Sequence, residues 1–342
     1  FLIQSCRDCA RCMNEKYIKI DSSEEVEVVK QLNERNDPEG LRLKRFLAMP
    51  DLSRAPGSPL ADLAERIVAL PRFADFEVLD APEIVGYGLS FDLFNFPSDH
   101  PARSPSDTYF VDEDNILRTH TTVMWYYHLA LPEVKSKIEK GKSVGALSHG
   151  KVYRKDEIDR NHMNVFHQID GWYLCRKEEH VITVQDLQDV LSEIAKVIFG
   201  GDVKYRFNSD QFPYTDPSLE MEVEIASPPS SGGFGETKRW IEVLGAGVVK
   251  GAVLKNFGVN PDEYNGWAFG FGLERLAIIS MDLPDIRLLW SQDKRIKNQL
   301  KLGQKYKEVS KYPSIIRDIS FVVGKDFVPN NYFDLIRDLG GD

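Results

Sequence analysis

Residues 150–172, which read GKVYRKDEIDRNHMNVFHQIDGW, contain two alternating segments separated by a charged loop. At the strand period of two, each segment places unlike side chains on one face: Val152, Arg154 and Asp156 on the first, and Phe166, Gln168 and Asp170 on the second. A half-buried hairpin normally places apolar side chains on its core face. An arginine, two carboxylates, an amide and an aromatic ring on a sheet surface therefore indicate a surface that binds a ligand.

A second group with reactive side chains is the cysteine cluster of SCRDCARC, at Cys6, Cys9 and Cys12. Three thiolates at this spacing suit zinc or an iron–sulfur cluster, but such sites usually need four ligands. Cys175 is the only other thiol, and four cysteines in this chain argue against a disulfide scaffold. The alternatives are a metal site and a terminal helix or arm with free thiols, and the missing fourth ligand favours free thiols.

The composition restricts the class of protein. The chain has 342 residues, 42% of them hydrophobic, and no apolar run approaches membrane-spanning length, which predicts a soluble globular protein. The net charge of −10 gives no general attraction to nucleic acid, so such a partner must meet a local patch. One candidate patch lies between Lys294 and Lys311, where Glu308 is the single acid. The start at Phe1 rather than Met indicates a trimmed or processed amino terminus.

Periodicity and capping residues predict the helices. Ser22 and Glu25 form a candidate capping box before a short apolar pattern at helical spacing: Val26, Val29 and Leu32. Ser58 and Pro59 open a second helix with an apolar face of Leu60, Leu63, Ala64, Ile67 and Val68. The segment TVQDLQDVLSEIAKVIFGG predicts a third helix with Leu187, Val190, Leu191, Ile194 and Ile198 inward and Gly200–Gly201 as its end.

The remaining segments predict strands and loops. Residues 51–57 are rich in proline and glycine and predict a linker, and SPPSSGGFGET predicts a flexible surface loop. Strands that meet as hairpins, with few helices between them, favour an antiparallel α+β sheet over a doubly wound parallel one. The glycine pairs of WIEVLGAGVVKG and GWAFGFGLERLAII lack the third glycine and the βαβ setting of a dinucleotide site. The sequence therefore excludes a Rossmann fold.

Several segments together resemble one family. YRKDEIDRNHMNVFHQ resembles the second signature of class II aminoacyl-tRNA synthetases, and GFGLERLAI resembles the third. The segments DLFNFPSDHPAR, LRTHTT, QFPYTDPSLEMEVEI and IEVLGAGVV narrow the resemblance to the phenylalanyl-tRNA synthetase family, over roughly residues 55–300. SKYPSIIRDISFVV is similar to the opening of the ferredoxin-like anticodon-binding module of the single-chain organellar enzyme, which favours the mitochondrial type.

The resemblance implies a fold and an activity. The fold is α+β: a class II antiparallel sheet flanked by helices, with the start of a ferredoxin-like anticodon-binding module. The implied domains are an N-terminal extension (1–50), a catalytic domain (51–303), and a linker with part of the anticodon module (304–342). The implied reaction uses ATP and Mg²⁺ to activate phenylalanine, which is then transferred to tRNA(Phe).

The resemblance also implies a setting. The chain would act without a membrane, in the mitochondrial matrix or another organelle, or in the cytoplasm if it is bacterial. The organellar type is a monomer, and a homodimer is the alternative, because class II catalytic domains usually dimerise.

The resemblance assigns residues to ATP. Arg154 would hold the α-phosphate, because a permanent planar cation suits a phosphate in the ground and transition states. Phe166 would lie under the adenine, with Arg275 on its other face or toward the γ-phosphate. His162 would reach the phosphates, and Glu242 is the magnesium carboxylate. Arg154, Arg275 and Glu242 would be the catalytic residues.

The resemblance assigns a second set to the amino acid. Gln168 and Asp170 would hold its ammonium group, with Asp156 and Thr122 nearby, and His120 would serve its carboxylate. Phe212 and Tyr214, at i and i+2, would place both rings on one side of a strand for edge-to-face contact with a phenyl ring. Small residues would admit that ring: Gly245, Gly247 and Ala268.

Four positions depart from the family pattern. Thr122 and Trp125 stand where the family usually has serine and an amide, Asp156 is one methylene shorter than the usual glutamate, and Tyr214 replaces phenylalanine. These changes keep two alternatives open. The first is a related class II ligase for another amino acid. The second is a non-enzymatic tRNA-binding paralogue, which predicts loss of Arg154, Glu242 or Arg275.

Overall fold

One eight-stranded sheet organises the first of two compact units, Phe1–Lys307, and the second unit is Glu308–Asp342. The structure is a computed structural model that describes residues 16–227 and 237–310, together with 320, 322–325 and 327. Its strands are β1 (Tyr17–Lys19), β2 (Glu77–Asp80), β3 (Ile84–Gly86), β4 (Asn115–Leu117), β5 (Val144–Tyr153), β6 (Val165–Arg176), β7 (Tyr205–Phe212), β8 (Thr215–Ser227), β9 (Thr237–Val249) and β10 (Tyr264–Gly272).

The sheet has the order β1-β2-β5-β6-β10-β9-β8-β7. Strand pairs β1–β2 and β2–β5 are parallel, and every other neighbouring pair is antiparallel. Strands β3 and β4 form a separate antiparallel pair. The predicted antiparallel α+β sheet is therefore confirmed, with parallel pairing confined to one edge.

The described helices cover the sheet and its ends. They are α1 (Ser23–Glu34), α2 (Pro38–Leu47), α3 (Pro59–Val68), α4 (Tyr87–Ser90), α5 (Met124–Ala130), α6 (Pro132–Glu139), α7 (Val184–Phe199), α8 (Gly251–Asn256), α9 (Leu273–Met281) and α10 (Lys294–Lys297). Helices α3, α7 and α9 contact one another, and their buried side chains share one core with strands β6, β8, β9 and β10. The opposite face carries a second core, in which Trp172 and Ala268 pack against α5 and α8, and an open cavity lies beside that core.

Capping accounts for the well-defined starts of the predicted helices. Ser58 accepts the backbone N–H of Leu60 at the start of α3, and the predicted apolar face of that helix is buried. Thr183 and Asp186 form a reciprocal capping box at α7, whose predicted apolar positions are all buried. Helix α7 ends at Gly200, where φ is 94°, a conformation that favours glycine.

Two local predictions are wrong. Val26 on α1 is 56% exposed, and Val28 is buried instead. Ser22 caps α1 as predicted by accepting the backbone N–H of Glu25, but the Glu25 carboxylate does not complete the capping box and accepts the backbone N–H groups of Glu83 and Ile84. Residues 51–57 are not a free linker: the Ser53 side chain is 2% exposed and its hydroxyl lies 2.9 Å from His149 Nδ1. Proline and glycine here serve tight turns on a packed surface.

The described part of the predicted N-terminal extension (1–50), residues 16–50, belongs to the same compact unit as the sheet. Strand β1 pairs with β2, and α1 and α2 share a hydrophobic core with Leu117 and Tyr153. Three predictions fall largely or wholly outside the described residues: the Cys6, Cys9 and Cys12 cluster, the SPPSSGGFGET loop, and the opening of the anticodon module.

Removing buried volume from α7 tests the packing of this helix on the sheet. Ile194 is fully buried, so Ile194→Ala should lower the free energy of unfolding by about 2–5 kcal/mol. Val26→Ala is the control, because truncating an exposed side chain should change the free energy of unfolding by less than about 0.5 kcal/mol. Urea unfolding followed by circular dichroism measures both, and equal losses would contradict the burial described here.

Candidate active site

The register of three strands fixes which side chains share the open face of the sheet. In the β5–β6 hairpin, Val152 lies opposite Phe166, and β6 then pairs with β10 so that Gln168 faces Gly272 and Asp170 faces Gly270. Glycines on β10 leave the space above Gln168 and Asp170 unfilled. The polar face predicted from the sequence therefore borders an open volume.

A cavity of about 420 Å³ opens at this place. Every predicted site residue except His120 lines it: Thr122, Arg154, Asp156, His162, Phe166, Gln168, Asp170, Phe212, Tyr214, Glu242, Gly245, Gly247, Ala268 and Arg275. The structure thus gathers residues from five strands and their loops around one space, although the sequence separates them by up to about 150 positions.

The guanidinium of Arg154 is largely buried just past the end of β5. It lies 5.1 Å from the centre of the Phe166 ring, and Nε donates to the carbonyl of Thr119 at 3.2 Å. Burial lowers the pKa of Arg154, and Asp156 opposes this only in part. Among the described residues, no carboxylate lies within ion-pair distance of this guanidinium. A buried cation in this state favours an anionic ligand.

Glu242 and Arg275 face each other at the rim of the cavity. Arg275 Nη1 lies 3.9 Å from Glu242 Oε2 and donates to the Glu242 carbonyl at 3.2 Å. Burial raises the pKa of Glu242, the Arg275 charge opposes it, and Glu220 adds to it. His162 lies at the same rim, with Nδ1 2.9 Å from Asp159 Oδ1. The rim therefore carries both charges, and each half-exposed partner is free to reorganise around phosphates.

Asp170 is a buried carboxylate held by two hydroxyls. It accepts from Thr121 Oγ1 and, at 2.7 Å, from Thr122 Oγ1. Burial raises the pKa of Asp170 to about 6, against the effect of both threonines. A Cβ at position 270 would come 2.4 Å from Asp170 Oδ1, so only glycine leaves room for this carboxylate. The arrangement suits an ammonium group.

Two aromatic rings stand at the other side of the cavity. The Phe212 and Tyr214 rings are stacked, with centroids 5.9 Å apart and planes at 10°. Their common strand is a wrong prediction, because Phe212 ends β7 and Tyr214 lies in the turn before β8. The rings still share one side, since this tight turn brings them together.

The predicted small residues have different surroundings. A Cβ on Gly245 would come 3.3 Å from the Phe212 ring, so this glycine keeps the ring close to the sheet. The space beside Gly247 is already filled by Thr215, at 2.3 Å from such a Cβ. Gly247 therefore makes room for the Thr215 side chain, while Ala268 lies at the cavity wall.

His120 lies beside the cavity rather than in its lining. Its Nε2 donates to the carbonyl of Ser90 at 3.1 Å, which leaves Nδ1 as a buried lone pair without a partner among the described residues. Burial lowers the pKa of His120 to about 4, and the Arg154 charge contributes. A neutral imidazole with this lone pair does not attract a carboxylate. The geometry does not support the role predicted for His120.

Sequence reasoning missed several contributors. Thr121 bonds Asp170 alongside Thr122, and a signal existed in the adjacent hydroxyls of RTHTT. Gly270 and Gly272 line the cavity, although the sequence analysis assigned them no role in the site. Trp125, in contrast, does not line the cavity. It is fully buried and stacks on Trp172 with ring centroids 4.7 Å apart, so this departure alters the core behind the pocket.

The fold and the site together define the class. The sheet is largely antiparallel. It carries Arg154 just after β5 of the hairpin and Arg275 in the first turn of α9, the helix that follows β10. This combination is typical of the core of a class II tRNA synthetase. The family model described as "tRNA synthetases class II core domain (F)" matches residues 47–300. The chain belongs to this family.

Named relatives agree with this assignment. The chain is 38% identical over 282 residues to the chloroplastic/mitochondrial phenylalanine–tRNA ligase of Arabidopsis thaliana, covering 79% of this chain and 60% of that protein. It is 37% identical over 230 residues to the phenylalanine–tRNA ligase alpha subunit of Caldicellulosiruptor bescii, covering 66% and 63%. An alpha subunit of Coxiella burnetii is 35% identical over 243 residues, covering 71% and 67%. The chain thus spans 60% and 63% of the lengths of the first two relatives.

Removing the Arg154 guanidinium tests whether this part of the cavity binds the α-phosphate of ATP, as the family resemblance implies. Arg154→Ala should lower the rate of ATP–pyrophosphate exchange by about two orders of magnitude, the usual loss for one preorganised donor. The fold should persist, because Arg154 has no ion pair to break in the described part of the chain. Arg160→Ala, in the same loop, is the control and should exchange normally. Near-normal exchange by Arg154→Ala would remove Arg154 from the mechanism.

The raised pKa of Asp170 predicts a pH dependence. Its carboxylate is ionised above about pH 6 and protonated below, so the attraction for an ammonium group is lost as the pH falls. The KM for the amino acid should rise about tenfold for each pH unit below 6. Initial exchange rates between pH 5 and 8 measure this effect. In Asp170→Asn the KM for the amino acid should not depend on pH over that range. A parent KM that does not change with pH would contradict the assignment of Asp170 to the ammonium group.

Proposed function

We propose that this chain activates phenylalanine with ATP to phenylalanyl-adenylate and transfers it to the 3′ end of tRNA(Phe), as a phenylalanine–tRNA ligase. The guanidinium of Arg154 carries the proposal: it is partly buried, has no carboxylate partner among the described residues, and shares one cavity with the carboxylate of Asp170 and the Phe212–Tyr214 rings. An anion site, an ammonium site and an aromatic wall together match an amino acid and a nucleotide. The names of the relatives support the same substrates.

The activation step needs alignment and charge neutralisation rather than a general base. A carboxylate oxygen of the amino acid forms a bond to the α-phosphorus of ATP. The bond from that phosphorus to the bridging oxygen breaks, and pyrophosphate leaves with the electron pair. Arg154 neutralises the charge that grows on the α-phosphate, while Gln168 and Asp170 hold the ammonium group so that the carboxylate points toward it.

Class II tRNA synthetases use ATP and Mg²⁺ generally. Among the described residues, no group of three or more His, Cys, Asp or Glu could hold a metal ion. Glu242 at the rim fits Mg²⁺ that takes one or two protein oxygens and completes its shell with phosphates and water. When bound, the metal would supply positive charge to the phosphates. Glu242 therefore fits a metal that arrives with the nucleotide.

The proposed partner and compartment follow the relatives. The partner is tRNA(Phe), and the proposed location is the mitochondrial matrix or another organelle, because one relative is chloroplastic/mitochondrial. The cytoplasm is the alternative, because other relatives are bacterial alpha subunits. A monomer is proposed for the organellar type, with a homodimer as the alternative. No helix in the described part of the chain is long and apolar enough to cross a membrane.

Exchange of labelled pyrophosphate into ATP, run with each of the twenty amino acids, tests the function. Phenylalanine alone should give strong exchange, and charging of tRNA(Phe) should follow. Strong exchange with another amino acid would support the related-ligase alternative, which the replacements at Tyr214 and Trp125 keep open. No exchange at all would favour a non-enzymatic paralogue, although Arg154, Glu242 and Arg275 all line the cavity.

The apolar wall predicts limited discrimination against tyrosine. A pocket of this kind rejects a substrate with one added hydroxyl by about two orders of magnitude. The parent chain should therefore activate tyrosine measurably. Ala268→Gly should admit para-substituted phenylalanines more readily, because it removes one methyl group from the wall. Exchange kinetics measure the preference, with Ala146→Gly on β5 as a matched control away from the cavity. An unchanged preference would exclude Ala268 as the gate.

The lysine-rich segment predicts a salt-dependent contact with tRNA. Seven Lys and Arg lie between Lys294 and Lys311, and Lys301, Lys305 and Lys307 are the candidates for phosphate contact. Replacing these three by glutamine should weaken tRNA binding and reduce the logarithmic salt slope by about 2 to 3. Amino-acid activation without tRNA is the control and should not change. A salt slope equal to that of the parent would make this segment a solvated linker.

A further inference from the structure

Glu274 is a buried carboxylate one residue before Arg275, and it is held by a single residue of β6. Its two oxygens accept the backbone N–H of His167 at 3.0 and 2.9 Å, and Oε1 also accepts from the His167 ring Nδ1 at 2.7 Å. The pairing of β10 with β6 ends at Gly272 and Gln168. The Glu274 carboxylate therefore attaches the first turn of α9 to β6, one position beyond the last residue pair between β10 and β6.

The second ring nitrogen of His167 is held from a distant part of the chain. Nε2 accepts the backbone N–H of Leu52 at 2.9 Å, so the ring proton is on Nδ1, where Glu274 accepts it. Asp51 Oδ1 lies 3.4 Å from Nε2 and accepts instead from the Ser53 hydroxyl at 2.6 Å and the Ser53 N–H at 2.9 Å. Both nitrogens of a fully buried ring are thus fixed in one tautomer.

The segment that holds His167 is itself fixed to the neighbouring strand. Ser53 Oγ lies 2.9 Å from His149 Nδ1 on β5, and Arg54 Nη2 donates to the His149 carbonyl at 2.7 Å. Arg54 also pairs with Asp80 on β2, at 3.2 Å. Residues 51–54 therefore hold both strands of the hairpin that carries Arg154 and Phe166.

We propose that His167 is a positioning residue for the nucleotide: it fixes Arg275 through Glu274, and it fixes the adjacent Phe166 through its own backbone. The inference rests on the proposed function and on the assignment of Phe166 and Arg275 to ATP that the family resemblance implies. His167 does not line the cavity and contacts no reacting atom. Its effect on the nucleotide is to hold Phe166 on β6 and Arg275 on α9 at the separation that an adenine and its phosphates require.

Two substitutions of His167 each remove one of the two hydrogen bonds of the ring, the bond to Glu274 or the bond from Leu52, so that their effects can be compared. His167→Asn keeps a donor near the Nδ1 position and loses the acceptor for Leu52. His167→Gln places its amide near the Nε2 position, keeps an acceptor for Leu52 and leaves Glu274 without the ring donor. If Arg275 is positioned through Glu274, His167→Gln should weaken binding of Mg–ATP about tenfold, while His167→Asn stays within about twofold of the parent.

Calorimetric titration of the full chain with Mg–ATP measures this directly, and exchange kinetics supply the KM for ATP and for the amino acid. The KM for the amino acid should stay within about twofold in both variants. Both variants should have a lower thermal unfolding temperature, since each loses one buried hydrogen bond of the His167 ring. Equal ATP affinity in the two variants, at any level, would overturn the proposal and leave a purely structural role.

Glu274→Gln provides the test if either His167 variant does not fold. It keeps the volume but turns one acceptor of the His167 N–H into a donor, and should weaken ATP binding about tenfold. Unchanged ATP affinity in Glu274→Gln would overturn the proposal. A parent chain that binds no ATP would instead overturn the proposed function, so the two failures are distinct.

Discussion

A partly buried positive charge that has no carboxylate partner in the described part of the chain is the constraint on which the rest of the site depends. Arg154 is held by one backbone carbonyl and one aromatic ring, neither of which cancels its charge. Such a group costs free energy in the unliganded protein, so the surrounding fold must supply enough stability to keep it in place. The large core formed by α3, α7, α9 and the sheet provides this stability on the opposite face.

The second constraint is steric. Asp170 can stand opposite β10 only because position 270 has no side chain, and Phe212 can lie close to the sheet only because position 245 has none. These two glycines also lie opposite each other in the register of β9 and β10. The carboxylate and the aromatic wall are therefore placed by the same pair of strands, and their separation is set by strand spacing rather than by loop conformation.

Much of the fold and the site could be predicted because periodic and local signals carry that information. The faces of α3 and α7, their caps, the polar face of the hairpin and the cavity lining all follow from spacing or from the family resemblance. The tautomer of His120 could not be predicted, because its hydrogen-bond partner is the carbonyl of Ser90, 30 positions away. The turn at Tyr214 is local, but the alternating pattern there also fits a continuous strand. The packing of residues 51–54 was missed for the same reason as the His120 tautomer, since its partners are His149 and His167. Composition there indicates only a turn-rich segment.

The hydrogen bonds of His167 join residues separated by 115 and 107 positions in the chain. Contacts of such high sequence separation close large loops, which costs conformational entropy, and they require both ends of the chain segment to be present. A nascent chain that ends before Glu274 contains Arg154 and Phe166 but has no closed site. Under the proposed function, nucleotide should accordingly stabilise only chains that extend through β10 and the first turn of α9.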